Sequence, residues 1–463
     1  VIATTPSPTP RRRLPGPLRA LGHTAFRRFY VGQGVSVIGS WVQSLAMSWL
    51  VYRLTGSTAL LGLTAFLTQA PILLLGSWAG ALSDRVDRRR LLLGCQLALA
   101  VQALLLGALV LAGLASAPLL LAMALAQGLC AGIETPARQA FLSVMVPDAR
   151  DLPNAIALNS FLMNSGRFVG PTVAGLLIPW VGEGPCFLIN AASFAAVFVA
   201  VRKMPASIAA RASQTATGRS TRDRDASPAV ETTWALLRRF APARTLLPAV
   251  VLVSFCVSPY SSLMPAVAHQ VFDGGPGTLG LLVGAAGLGG LAGTLFLATR
   301  RDLARLPRVT AFACLLAGAA LGGFTLSRWL PLSVALMAAV GFGVIVTAAS
   351  TNMLLQTTAD PAWRGRIVGV YTTCFLGASP IGALIAGSVA ARIGALNTMS
   401  GLATLCVLGA LWVWPRAARL AATSEEPPPD DTRAPDTAVT ALAAPAAATT
   451  LVVRAEHGSA AAP

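Results

Sequence analysis

Gly80-Ala81-Leu82-Ser83-Asp84-Arg85-Val86-Asp87-Arg88-Arg89-Arg90 joins two long apolar stretches, 58–83 and 90–114, through a very short charged turn. Basic residues alone would hold such a turn on the cytoplasmic side of a membrane. They leave unexplained a glycine four residues ahead of an Asp-Arg pair, with further arginines behind it. The turn therefore has two readings at this point, a topology signal or a motif with a further role.

The stretches on either side belong to a wider pattern. Of 463 residues, 55% are hydrophobic and 11% charged, with a mean hydropathy of +0.67, which leaves too little polar surface to cover a water-soluble globule of this size. Apolar runs sit at 29–54, 58–83, 90–114, 117–146, 153–181, 184–203, 244–270, 276–299, 306–326, 329–357, 364–390 and 394–415, twelve in all. Each meets the roughly 20 residues a helix needs to cross about 30 Å of hydrocarbon. Membrane barrels instead show short alternating segments. The predicted fold is an all-α membrane protein of twelve transmembrane helices.

The net charge of +17 would suit a nucleic-acid binder, but its placement is topological. Of the 35 Lys and Arg, 31 fall in the tails or at the turns after spans 2, 4, 6, 8 and 10. The opposite turns hold only Arg53, Arg328 and Arg392, and Arg167 lies inside a span. This asymmetry predicts both termini and the central loop in the cytoplasm, with basic residues against an anionic leaflet and no nucleic-acid partner. The N-terminal thirty residues are Pro- and Arg-rich without an apolar core, so no cleavable signal peptide is expected. Seven dispersed cysteines without a Cys-x-x-Cys pair argue against disulfides and metal sites, and no cofactor is expected.

Pro147-Asp148-Ala149-Arg150 lines up with Pro361-Ala362-Trp363-Arg364 at a spacing of 214, which also sets Phe161 on Phe375. An internal repeat of two related six-helix halves follows. The predicted organisation is a flexible segment over 1–25, one half over 26–203, a cytoplasmic loop over 204–243, the second half over 244–415, and a disordered tail over 416–463.

In the fifth span Gly166-Arg167-Phe168-Val169-Gly170-Pro171-Thr172-Val173-Ala174-Gly175 spaces small residues four apart around a proline, a pattern that lets helices approach closely and bend. With the turn at 80–90 it resembles two motifs of the major facilitator superfamily. One is the Gly-x-x-x-Asp-Arg/Lys-x-Gly-Arg/Lys-Arg/Lys signature, here with Asp87 for the second Gly. The other is the antiporter motif Gly-x-x-x-Gly-Pro-x-x-Gly-Gly, here with Ala174 for one Gly. The run from Thr135-Pro136-Ala137-Arg138-Gln139 through Leu152-Pro153-Asn154-Ala155 and Leu158-Asn159-Ser160 is similar to the bacterial subgroup of enterobactin, macrolide and natural-product exporters. The resemblance covers about residues 26–415. It implies a two-half fold, a cytoplasmic gate carried by Gly80, Asp84, Arg85, Arg88 and Arg89, and a latch at Asp84, for which Arg138 is the preferred partner and a solvated, purely topological Asp84 the alternative. It also implies an antiporter element at Gly166, Gly170, Pro171 and Gly175. One element is missing: Ala124 stands where an arginine should precede Gln127-Gly128.

Helix periodicity places Gln33, Ser36, Ser40, Gln43, Ser44 and Met47 on one stripe of the first span. Polar stripes face inward in a bundle surrounded by lipid, where these residues either line a cavity or bond neighbouring helices. Ser254, Ser258, Tyr260, Ser261 and Ser262 on the seventh span, Asn159, Met163 and Asn164 on the fifth, and Asn352, Gln356, Tyr371 and Thr372 are further cavity candidates. Glu134 and Arg167 are the acid and the base set well inside spans. Counted from the turn between them, both sit near 20 Å deep at 1.5 Å per residue, which predicts an ion pair, either purely structural or coupled to proton movement.

No Gly-x-x-x-x-Gly-Lys-Ser/Thr loop is present, so transport would draw on a gradient. The leading expectation is proton-coupled export of an amphipathic small molecule such as a siderophore, macrolide, drug or other secondary metabolite across the bacterial plasma membrane. An importer or symporter of the same fold, and a non-transporting membrane sensor or scaffold, are the alternatives. His23, His269 and His457 form no paired metal site or nucleophile constellation, so no enzyme is expected.

Overall fold

The computed structural model describes residues 16–146, 148, 150–204, 237–300, 302 and 304–425. The regular structure in them is helical: α1 Thr24–Thr55, α2 Thr58–Arg85, α3 Arg88–Leu111, α4 Ala117–Met145, α5 Leu152–Val181, α6 Glu183–Arg202, α7 Ala241–Leu252, α8 Tyr260–Phe272, α9 Pro276–Ala298, α10 Leu306–Leu326, α11 Leu330–Thr358, α12 Arg364–Ile393 and α13 Ala395–Glu425. The breaks have local causes. Gly56 takes a left-handed conformation (φ 61°) and closes α1 by donating to the Tyr52 carbonyl, and the Ser57 side chain then accepts from Leu60 to open α2. Asp87, the departure from the turn motif, caps α3 by accepting from Arg89 N (2.8 Å) and Arg90 N (3.3 Å), so an N-cap requirement explains the residue.

Among the described residues, eleven stretches are long and apolar enough to cross a membrane. One runs through Ala241–Phe272, where a π turn at Val253–Val257 joins α7 to α8; Ser258 N reaches back to the Val253 carbonyl (2.9 Å) ahead of Pro259, which has no N–H to give. α5 is 30 residues long and stands outside the eleven, with Asn154, Asn159, Asn164 and Arg167 interrupting its apolar run, while occupying the fifth predicted span.

Within the first half, α1 lies against α5 and α6, α2 against α4, and α3 against α4 and α6; within the second, α11 lies against α9 and α10, and α13 against α7 and α10. The halves meet along two seams, α2 with α12 and α5 with α9. Both seams are glycine contacts at one end of the molecule. A Cβ on Gly387 would stand 2.7 Å from Gly62 Cα, and one on Gly175 would stand 2.8 Å from Gly280 Cα. The Thr58 hydroxyl donates to the Gly387 carbonyl (3.2 Å), and Gln270 donates to the Tyr52 hydroxyl (3.0 Å). Toward the other end α2 and α12 still touch at Leu73 and Gly377, and beyond them Gly76, Gly80, Gly365 and Gly369 have open space within 4 Å of where a Cβ would lie. The halves are closed at the Tyr52 end and parted at the Arg85 end.

Two boundaries differ from the sequence expectation. Inside the predicted flexible segment, Gly16–Gly22 forms a 3₁₀ turn held by Asp151, which contacts Arg19 (3.1 Å) and His23 (2.9 Å), and by Asn154, which accepts from Ala20 N (2.9 Å). The last helix continues to Glu425 rather than ending at 415, because Ala417 and Ala421, one turn apart, are fully buried. Residues 1–15, 205–236 and 426–463, where the other flexible segments were expected, lie outside the described residues, as do Pro147 and Ala149 of the internal repeat.

Candidate functional site

A cavity of ≈ 410 Å³ lies between the halves, within the usual range for small-molecule sites. From the first half it is lined by Trp41, Ser44 and Met47 of α1, Thr64, Thr68 and Gln69 of α2, Gln127 of α4, and Asn164 and Arg167 of α5. The facing wall comes from Ser254, Ser258 and Tyr260 around the π turn, with Val344, Ile345, Phe375 and Ser379. Its composition is mixed, with hydroxyls and amides set among aromatic and aliphatic surface. Such a surface suits an amphipathic guest better than a sugar.

Of the sequence-predicted cavity residues, Met47, Asn164, Ser258 and Tyr260 line this space, with Ser44, Ser254, Ser261 and Ser262. Gln33, Ser36, Ser40, Gln43, Asn159 and Met163 do not. The stripe on α1 is wide enough that its edges face different neighbours. Gln43 is fully buried inside the first half. It donates to Gln102 (3.2 Å) and Gln127 (3.1 Å) and accepts from Asn190 (2.7 Å). That network ties α1 to α3, α4 and α6, leaving Gln127 as the member that reaches the cavity. Thr64, Thr68 and Gln69 escaped sequence reading because they punctuate an otherwise apolar span; their spacing of four and five residues was the available signal.

The expected ion pair between Glu134 and Arg167 is not formed. Glu134, 8% exposed, is bound by Arg138 one turn along the same helix (3.0 Å) and by Gln96 of α3 (3.3 Å). Equal depth does not fix azimuth: Glu134 and Arg138 share a face of α4, whereas Arg167 turns to the cavity, its guanidinium 5.9 Å from the Trp41 ring centroid. Arg167 makes no hydrogen bond or ion pair with any described residue.

The antiporter motif is a set of close approaches. Side chains on Gly166 and Gly170 would run into Val37 and Trp41 of α1, and Gly175 meets Gly280 of α9; Pro171 reaches the cavity wall. In the gate motif, Gly80 faces open space. Arg88 is 2% exposed and donates to the Ser83 carbonyl (3.3 Å), and Arg89 donates to the Arg202 carbonyl at the end of α6 (2.8 Å). The side chains of Asp84 and Arg85 lie outside the described residues, so the Asp84–Arg138 latch remains an expectation.

The fold and the cavity agree with what the chain resembles. Staphyloferrin A transporter of Staphylococcus aureus is 22% identical over 82% of this chain and 93% of that protein. Multidrug efflux pump Tap of Mycolicibacterium fortuitum is 27% identical over 84% and 95%, and macrolide efflux protein A of Streptococcus pyogenes 24% over 82% and 94%. Among solved structures, a bacterial homologue of the iron transporter ferroportin in an inward-facing state superposes with a TM-score of 0.63 at 15% identity, covering 86% of this chain and 98% of that one. The nucleoside transporter NupG gives 0.61 at 14%, covering 87% and 100%; at these identities the likeness is one of fold. Residues 15–448 match the family model of the transmembrane secretion effectors. With two helical halves around a shared cavity, glycine seams at α2–α12 and α5–α9, and that match over nearly the whole chain, the protein belongs to the transmembrane secretion effectors of the major facilitator superfamily, transporters of small molecules rather than enzymes.

Proposed function

We propose that this protein exports an amphipathic small molecule by proton antiport, with the halves rocking about the central cavity. The observation that carries the reading is the mixed polar and apolar cavity at the junction of two halves that are sealed at the Tyr52 end and parted at the Arg85 end. Charge asymmetry supports placing the parted end, with both termini, in the cytoplasm of a bacterial plasma membrane, so the conformation described is the one that admits cargo from inside. Relatives named for siderophore, multidrug and macrolide transport support amphipathic cargo.

Glu134 is proposed as the proton carrier. It is buried, acidic and bound to one cation, so taking a proton would release Arg138. The freed guanidinium would then be available to Asp84 at the end of α2, the neighbouring helix, which links proton binding to closure of the cytoplasmic gate motif. Arg167 is assigned to cargo rather than to Glu134.

Everted membrane vesicles from a host stripped of its own drug exporters test this reading with erythromycin and 1-pyrenebutyrate as cargo. Energised vesicles carrying the protein are expected to accumulate at least one of them, and nigericin, which collapses the pH gradient, is expected to abolish the accumulation. Protein-dependent movement in the opposite direction would indicate an importer, and no protein-dependent movement of either would favour a sensor or scaffold.

A further inference from the structure

We propose that the cargo carries an anionic group, a carboxylate or sulfonate on an apolar body, and that Arg167 receives it. The inference deepens the export reading and rests on it. Arg167 is the one charged residue among those lining the cavity, and it lies on a helix between α1 and α9, far from either chain end. A cation at such depth is costly, and one that is kept there marks a ligand pathway or a partner. Within the described residues the protein supplies no carboxylate partner; its electrostatic neighbour across the cavity is the phenol of Tyr260. Glu134 is held by Arg138 (3.0 Å), Glu183 by Arg53 (2.9 Å), Asp151 by Arg19 (3.1 Å) and His23 (2.9 Å), and Asp302 by Arg305 (3.2 Å). Trp41, whose ring lies 5.9 Å from the guanidinium, offers a π face but no net negative charge.

The surroundings fit an anion with a hydrophobic body. Asn164 lies one turn before Arg167, and Ser258 and Ser261 face the same space, so polar groups cluster with the cation; their amide and hydroxyl hydrogens are given to backbone carbonyls of their own segments, which leaves the guanidinium as the principal donor. Ile345, Phe375 and Leu376 supply apolar wall for the remainder of the guest. A guanidinium offers a fork of donors matched to a carboxylate, and such charge-assisted bonds are roughly twice as strong as neutral ones. A cationic guest would instead add like charge beside Arg167, and nothing acidic among the lining residues would offset it.

Three probes that share one body separate the charge states: 1-pyrenebutyrate, 1-pyrenebutanol and 1-pyrenebutylamine. Binding is read by fluorescence anisotropy on the full chain in phosphatidylcholine nanodiscs, with protein-free nanodiscs subtracted and no gradient applied. The wild-type protein is expected to bind the butyrate about tenfold or more tighter than the butanol, with the amine weakest. Arg167→Gln should erase the difference between butyrate and butanol, and Arg167→Lys should keep most of it. Equal binding of all three probes to the wild type, a preference for the amine, or an unchanged butyrate preference in Arg167→Gln would overturn the proposal. If Arg167→Gln does not assemble, the wild-type ranking and Arg167→Lys still decide it. Because no flux is measured, vesicle export without an anion preference here would remove this inference and leave export standing. An anion preference without export would do the reverse.

Discussion

Replacing Gly387 by leucine is expected to drive the protein out of the conformation described here and to stop export. A Cβ at that position would lie 2.6 Å from the Thr58 carbonyl oxygen and 2.7 Å from Gly62 Cα. Both are backbone atoms, so no rotamer change relieves the clash. Overpacking of this kind costs about 1–3 kcal/mol, which for a two-state transporter is a shift of about 5–150-fold in the ratio of its conformations. The cost falls only on the state in which the Tyr52 end is sealed, since the opposite state parts that seam. A single cysteine at Gly369, in the open mouth, reports the change through its reaction with a membrane-impermeant maleimide from the cytoplasmic side. Labelling should fall in Gly387→Leu and stay near the parent value in Gly76→Leu, whose added side chain meets open space. Equal labelling in all three proteins would mean that the α2–α12 seam does not govern access.

Glu134→Gln is expected to reduce export driven by an imposed pH gradient by more than about tenfold while downhill exchange of cargo continues. Glutamine keeps the size and the hydrogen-bonding capacity toward Gln96 and Arg138 but cannot cycle a proton. Removing one member of a buried pair also strands the other charge, at about 3–5 kcal/mol, so stability has to be read beside flux. The double variant Glu134→Gln/Arg138→Gln should regain most of the thermal stability lost by Glu134→Gln alone, without regaining coupling. Recovery of stability separates a damaged bundle from a lost proton carrier. Normal gradient-driven flux in Glu134→Gln would remove Glu134 from the coupling step and leave it a structural group, paired with Arg138 along α4 and tied to α3 through Gln96.

The helices were legible in the sequence because lipid imposes the rule: uninterrupted apolar runs of spanning length, cut by Gly56-Ser57, Asp87 and Pro-containing turns. The two seams were half legible. The glycine spacing around Pro171 announced a close approach, but not that Gly166 and Gly170 meet α1 while Gly175 meets α9. Azimuth was the main loss. Depth along a helix follows from counting residues, whereas the direction a side chain faces depends on which neighbours close around it. Glu134 and Arg167 were therefore paired by depth, although the four-residue spacing of Glu134 and Arg138 on one helix was the more local and better signal. The same limit left open whether Gln43 lines the cavity or bonds its neighbours, which the structure decides for the second, and it hid Thr64, Thr68 and Gln69. Order at residues 16–22 was hidden for another reason: its anchor, Asp151, lies 128 positions away from His23.

Alternating access between the two ends is the central claim, and paired distance measurements by double electron–electron resonance test it most directly. One pair of spin labels goes at Gly80 and Gly369, across the open mouth, and a second at Leu54 and Ile393, exposed positions at the sealed end. When the pH or an added cargo is changed, a second population is expected in each pair, with the Gly80–Gly369 distance shortening as the Leu54–Ile393 distance lengthens. A single unchanging population in both pairs, or two distances that grow and shrink together, would contradict the account.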